Sequence, residues 1–241
     1  MKKLLLLVLT LPFIHPNTFA QSTFSLQATG MMPTGEFARD LPDRLGGGLS
    51  IEYVQKITPK IYVGARYGYM TLGRDRQEWA LAEPLGTRDV TWHHTMGNFL
   101  GFARFKPVTQ GLIRPYVDFV IGSTWVNSET YYILTEAEGA ISHDEEECPD
   151  NSRTLERMNG ATTSYGIGGG FEVVFSKDVM LDISMAPLRG GRVEFLTPQV
   201  NEYMNETWVH NMNYSTARLE YMTINFTVKM SMGFLFPDEP N

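Results

Sequence analysis

The stretch LEYMTINFTVKMSMGFLF, residues 219–236, alternates strictly. Met222, Ile224, Phe226, Val228, Met230, Met232, Phe234 and Phe236 fall on one side of an extended chain, and Tyr221, Thr223, Asn225, Thr227, Lys229, Ser231, Gly233 and Leu235 on the other. Period two belongs to extended backbone, whose successive side chains point to opposite faces. A helix drawn through the same residues would scatter both sets around its circumference. The segment is therefore a strand with one apolar and one polar face, and it is long for a strand of a soluble protein.

The same alternation recurs in segment after segment, and predicts strands near 22–30, 46–55, 61–72, 90–106, 113–126, 161–175, 179–188 and 219–236. No amphipathic helix intervenes, so the chain reads as all-β. KITPK, PVTQGL and SKD are short connections, whereas 31–45, 73–89, 127–160 and 189–218 are long and polar, and the two kinds alternate along the chain. In an antiparallel meander successive connections lie at opposite ends, so all the short ones share one end and all the long ones the other. That asymmetry predicts an eight-stranded antiparallel up-and-down transmembrane β-barrel, with short periplasmic turns and long extracellular loops.

The N-terminus agrees with export. Lys2 and Lys3 precede an apolar run from Leu4 to Ile14, then Pro16 and the small Ala20. This is the pattern of a secretory signal peptide over residues 1–20, cleaved before Gln21, which leaves residues 21–241 as one barrel domain. Losing the two lysines takes the net charge from -7 to -9, a poor balance for contact with nucleic acid. Cys148 is the single cysteine, so no disulfide framework is available.

If the apolar faces meet lipid, the polar faces converge inside. Glu52, Arg66, Arg104, Asp118, Glu172, Asp182 and Lys229 lie on those faces and are expected to pair as a polar network in the lumen. Phe99, Phe105, Phe119, Trp125, Phe171, Phe175 and Phe226 are too bulky to share the inside of eight strands, and belong on the outer wall. Tyr67, Tyr69, Trp92, Trp125, Tyr165 and Tyr221 fall toward the long-loop ends, and Phe105, Phe175 and Phe236 toward the short-turn ends, as two girdles would. The glycines of SYGIGGGFEVVF continue into strand and open no helix, which excludes a dinucleotide loop. Gly166, Gly168 and Gly170 share the inward row of Glu172, leaving room for Arg66, Arg104 and Lys229 to cross the lumen or for the strand to bend.

Three motifs carry a family resemblance: MMPTGEF after the first strand, RPYVDFVIGS opening the fifth, and TSYGIGGGFEVVFSKDVMLDIS across the sixth and seventh. On these the chain resembles the small bacterial outer-membrane β-barrel proteins, OmpW-like or OmpA-transmembrane-domain-like, and the compact barrels common in Bacteroidetes. The resemblance implies placement in the cell outer membrane of a Gram-negative bacterium. It implies insertion by the barrel-assembly machinery through a terminal aromatic, here Phe236, although PDEPN follows it. It also implies a narrow lateral opening for apolar compounds, whereas cell-wall tethering of the OmpA type is not implied.

Catalytic chemistry finds little support. His93 and His94 are adjacent on a strand and point to opposite faces, and neither Ser123 nor Ser184 stands at a telling spacing from His94. The acidic run HDEEECPDN, 143–151, matches no calcium-loop spacing, though its acids could bridge through a divalent cation to lipopolysaccharide phosphates. The chain is expected to be no enzyme and to need no cofactor or metal. Its expected role is that of a membrane scaffold whose extracellular loops mediate interaction or adhesion, in contact with outer-membrane lipid and lipopolysaccharide, and in the setting of an envelope protein complex. The alternative is a narrow porin-like channel for small or apolar molecules.

Overall fold

Eight strands pair in chain order in the computed structural model: β1 (Ser22–Pro33), β2 (Gly46–Lys56), β3 (Ile61–Ala80), β4 (Thr87–Phe105), β5 (Ile113–Thr135), β6 (Ser152–Val174), β7 (Val179–Thr197) and β8 (Asn213–Ser231). Each is antiparallel to the next, and β1 pairs with β8 from Thr23↔Ser231 to Pro33↔Tyr221, which closes the barrel. The structure describes residues 22–41, 45–80, 87–135, 152–176, 179–197 and 213–231. The signal segment 1–20, the acidic run 143–151 and Phe236 lie outside the described residues.

Closure follows from the two-faced sequence. A sheet with one apolar side in lipid can leave no edge unpaired, because hydrocarbon offers no hydrogen bonds to a bare strand. The short connections are tight. At one, Ile57 and Thr58 donate their N–H groups to Ile61 O at 3.0 Å, and Thr58 Oγ1 accepts from Ile61 N at 3.0 Å. Gly111, with φ of 100°, supplies the left-handed residue of the turn before β5.

The strands run well past the expected ends on the long-connection side. β5 and β6 have 23 residues each, whereas a strand needs only about 9–11 to cross a membrane. β3 and β4 stay paired as far as Ala80↔Thr87, past a register shift between Thr71 and Gly73, so most of the expected loop 73–89 is a hairpin. The expected boundaries are corrected for a physical reason. Apolar–polar alternation marks a strand only where lipid lies on one side, and beyond the lipid the outward residues turn polar, as at Glu129, Arg192 and Glu194, while the ladder continues and the inward Ser128, Thr130, Val193 and Phe195 stay buried.

One helical turn, α1 (Gly35–Asp40), follows β1. It lies against β8 where β1 has ended: Thr34 N donates to Glu220 O at 2.8 Å, and Arg218 N donates to Glu36 Oε2 at 3.1 Å. The helix thus occupies donors and acceptors of an otherwise open strand edge. Phe37 and Leu41, four residues apart, point from it into the barrel mouth, where both are buried.

Candidate functional site

The inner part of the lumen is filled by charge. Arg104 Nε and Nη2 hold the two oxygens of Asp118 at 2.8 and 2.9 Å, a bidentate pair. Its remaining Nη1 sits among Glu52 at 3.5 Å, Asp182 at 3.6 Å and Glu172 at 3.8 Å. Arg66 donates to Glu52 Oε2 through Nε at 3.1 Å and Nη2 at 2.5 Å. Lys229 donates to Glu172 Oε1 at 3.0 Å and contacts Asp182 and Glu52. All seven side chains expected in the lumen meet there.

The sequence reading missed the eighth. Lys106 donates to Glu172 Oε2 at 2.6 Å, with its ammonium 4.3 Å from the ring centre of Tyr62. With it the cluster holds Glu52, Asp118, Glu172 and Asp182 against Arg66, Arg104, Lys106 and Lys229, and the charges balance. Balance matters because an uncompensated ion in such a place would cost several kcal/mol. Parity was the available signal, since Lys106 falls on the same inward row as Arg104. Tyr116 completes the packing: its ring lies 3.9 Å from the Arg104 guanidinium carbon, and its hydroxyl donates to Asp182 Oδ1 at 2.6 Å.

The space left by the inward glycines of β6 is taken by other neighbours than the long cations. A Cβ on Gly170 would stand 2.7 Å from the Tyr116 hydroxyl and 2.5 Å from Ile183 O. On Gly168 it would meet Ala186 Cβ at 2.8 Å and Met185 O at 2.9 Å. The vacated space therefore admits Tyr116 and the close approach of β7, and Arg66, Arg104 and Lys229 do not occupy it. The β6–β7 pairing also lapses at Ile167 and Gly168, opposite Pro187 and Ala186, with the same register on either side, where proline has no N–H to give.

Above the ions comes a neutral polar layer. Thr29 bridges Ser50 at 2.7 Å and Asn225 at 3.0 Å, Asn225 donates to Ser184 at 3.2 Å, and Thr124 and Tyr221 meet through their hydroxyls at 2.9 Å. Higher still the lumen is apolar, contrary to the expectation of polar inward rows throughout. Met31, Met70, Leu72, Met96, Phe195 and Leu219 pack there with Phe37 and Leu41 of α1, and Phe37 meets Phe195 edge to face at 5.3 Å.

The outer wall is apolar, as expected. Phe99, Phe105, Phe119, Phe171, Phe175 and Phe226 are all exposed, with Leu26, Ile51, Val63, Ile121 and Val228 among them. An exposed apolar band around a closed barrel with an ionised interior fits hydrocarbon, so this is a transmembrane barrel of the outer-membrane kind. Tyr67, Tyr69 and Tyr165 stand outward near the upper edge of the band, and Trp125 leans on Tyr67 with ring centres 6.0 Å apart. Two members of the expected girdle are corrected: Trp92, 5% exposed, and Tyr221, 0%, face inward. Tyr221 shares the parity of Thr223, Asn225 and Lys229, and Trp92 that of His94, Met96 and Asn98.

His93 and His94 do point to opposite faces. His94 is buried in the upper lumen with Nδ1 3.0 Å from Ser128 Oγ, so the serine beside it is Ser128 and not Ser123 or Ser184. Among the described residues no three His, Cys, Asp or Glu side chains stand together as a metal site.

No protein-family model matches the sequence, and no curated protein matches it. Several solved structures align with the fold. A major outer membrane protein of Thermus thermophilus is 10% identical, with a TM-score of 0.47 over 87% of this chain and 98% of that one. Neisserial surface protein A is 9% identical, with a TM-score of 0.46 over 87% of this chain and 95% of that one. The N-terminal β-barrel domain of Pseudomonas aeruginosa OprF is 15% identical, with a TM-score of 0.34 over 86% of this chain and 97% of that one. The barrel assignment rests on the closed strand register itself, which is the architecture that the family resemblance implied.

Proposed function

We propose that the chain is a non-enzymatic outer-membrane scaffold that presents its projecting hairpins for interaction or adhesion, on its own or within an envelope complex. The observation that carries this reading is the continuation of the hydrogen-bonded wall beyond the lipid-facing band, above a lumen filled in turn by ions, hydroxyls and apolar side chains. A filled barrel offers solutes no path, and a wall that keeps its order outside the membrane offers a partner a firm surface. The test uses the full chain and a variant with 127–160 replaced by a short turn, both crosslinked in intact envelopes before solubilisation. Crosslinked species formed by the full chain and absent from the trimmed one support the reading, and identical crosslinking of both overturns it. In planar bilayers the full chain is expected to give no steady conductance, and a large steady current would favour the channel instead.

A further inference from the structure

We infer that the outer wall across β4 to β7 is a binding site for a lipid of the outer leaflet that carries phosphate on its headgroup, its chain in an oblique groove and its phosphate on arginines at the upper end. This rests on the transmembrane reading of the barrel. The groove has a volume of about 1020 Å³ and exists because Gly101 and Ala103 leave the wall thin between larger outward residues. Its floor follows the paired row Gly101↔Ile121↔Tyr165↔Arg189. Each residue of that row lies farther from the inner end of its strand than the one before, so the groove climbs toward the outer rim as it passes around the barrel. A second depression, of about 550 Å³, adjoins it across Ile167 and Pro187, where the outward Gly169 lacks a side chain. Two neighbouring furrows suit a lipid with more than one acyl chain.

Arginine marks the upper end. Arg189 shares the outward row of Met185 and Pro187 but ends the apolar run, and its side chain is 69% exposed although Nε contacts Glu220 at 3.2 Å. Just beyond, after the irregularity between Arg189 and Arg192, Arg192 stands directly opposite Arg218 on β8, both facing outward. Like charges opposite one another on a sheet repel. Arg192 has Glu36 only at 3.8 Å, and Arg218 makes no ion pair with a described residue. Among the described residues the Glu36 carboxylate stands beside both arginines, its Oε2 accepting the Arg218 backbone N–H at 3.1 Å and lying 3.8 Å from Arg192, and no described acid is hydrogen-bonded to either guanidinium. An anion lying between Arg192 and Arg218 would turn their repulsion into shared charge-assisted hydrogen bonds, and arginine forks match phosphate oxygens in pairs. In an outer leaflet the anion at that height, continuous with chains in the furrow below, is a lipid phosphate.

The test is native mass spectrometry of the full chain released from detergent, titrated with diphosphoryl lipid A, its dephosphorylated form and phosphatidylcholine. A faster-migrating unboiled band on electrophoresis first establishes the folded barrel, so that loss of the barrel reading and loss of the lipid site are separate results. Retention of diphosphoryl lipid A at about tenfold lower concentration than the dephosphorylated form is expected, a difference of about 1.4 kcal/mol. That preference should vanish in Arg189→Gln/Arg192→Gln/Arg218→Gln, or weaken in Arg192→Gln alone should the triple variant not fold. Gly101→Leu, whose Cβ would meet nothing nearer than 3.6 Å, should fold and fill the groove, and should weaken binding of both lipid A forms alike. Equal retention of the phosphorylated and dephosphorylated lipids by the folded barrel, or wild-type binding by the glutamine variants and by Gly101→Leu, overturns the inference.

Discussion

Arg104 is the residue on which the ionic cluster turns, because it alone reaches Asp118, Glu52, Glu172 and Asp182. Arg104→Leu would leave those four acids facing three cations, and removing one partner of a buried pair costs about 3–5 kcal/mol. Urea unfolding in micelles should show a loss of that size, and Arg104→Leu/Asp118→Asn should recover part of it by removing one surplus charge. A double variant no more stable than the single one would mean that packing of the guanidinium against Tyr116, and not charge, is what matters. Gly170 constrains the same spot sterically. Gly170→Leu should fail to give a folded band, because Tyr116 and the β7 backbone occupy the place of its side chain. Gly47→Leu, with nothing within 4 Å of the new Cβ, should fold normally. Strand parity made the inward placement of Arg104 and Gly170 legible in the sequence. It could not reveal that Tyr116 fills the glycine gap, because parity gives the face of a residue and not its height against a neighbouring strand.

Among the elements, α1 is the one that alternation could not announce. It is a single turn without a side-chain cap, too short to be stable alone, and it exists because Phe37 and Leu41 have an apolar mouth to fill. The cue was present only as MMPTGEF, which marked the segment without giving its shape. The extended hairpins escaped for a related reason: above the lipid the outward residues turn polar and the buried inward ones mix Ser128 and Thr130 with Val193 and Phe195, so the contrast between the two faces that marks a strand fades while the backbone pairing continues. Where lipid lies on one side, the boundaries were legible nearly to the residue, as at Ile61, Ile113 and Val179. The helix also carries a pH dependence. The Arg218 backbone N–H, followed by the nearby Arg192, Arg218 and Arg39 charges, holds the Glu36 carboxyl below its ordinary range. A carboxylate lowered in the folded state stabilises above its unfolded pKa and loses that contribution as pH falls through the folded value. Hydrogen exchange at Arg218 N–H should therefore accelerate, beyond the intrinsic pH effect, as pH drops below the usual carboxylate range. Glu36→Gln should remove that additional dependence, and an unchanged profile in Glu36→Gln would assign the protection to the strand instead.

At the scale of the whole barrel, the lumen is closed twice, by different physics at different heights. Ions below are held by pairing that weakens only if partners are removed, while the apolar cluster above is held by exclusion of water. Two plugs in series conduct only if both are opened, so neither one alone decides the current. Phe37→Ala/Leu41→Ala should cost several kcal/mol of stability, about 2–5 for each buried large side chain truncated, and yet leave the barrel non-conducting. Arg104→Leu/Asp118→Asn should likewise stay silent while the upper cluster is intact. Combining the four substitutions should give small, steady openings in planar bilayers, provided the unboiled band shows that the barrel still folds. Conductance in the Phe37→Ala/Leu41→Ala protein alone would mean that water already threads the ionic layer. The cluster would then be a lining and not a plug, and the porin-like alternative would replace the scaffold.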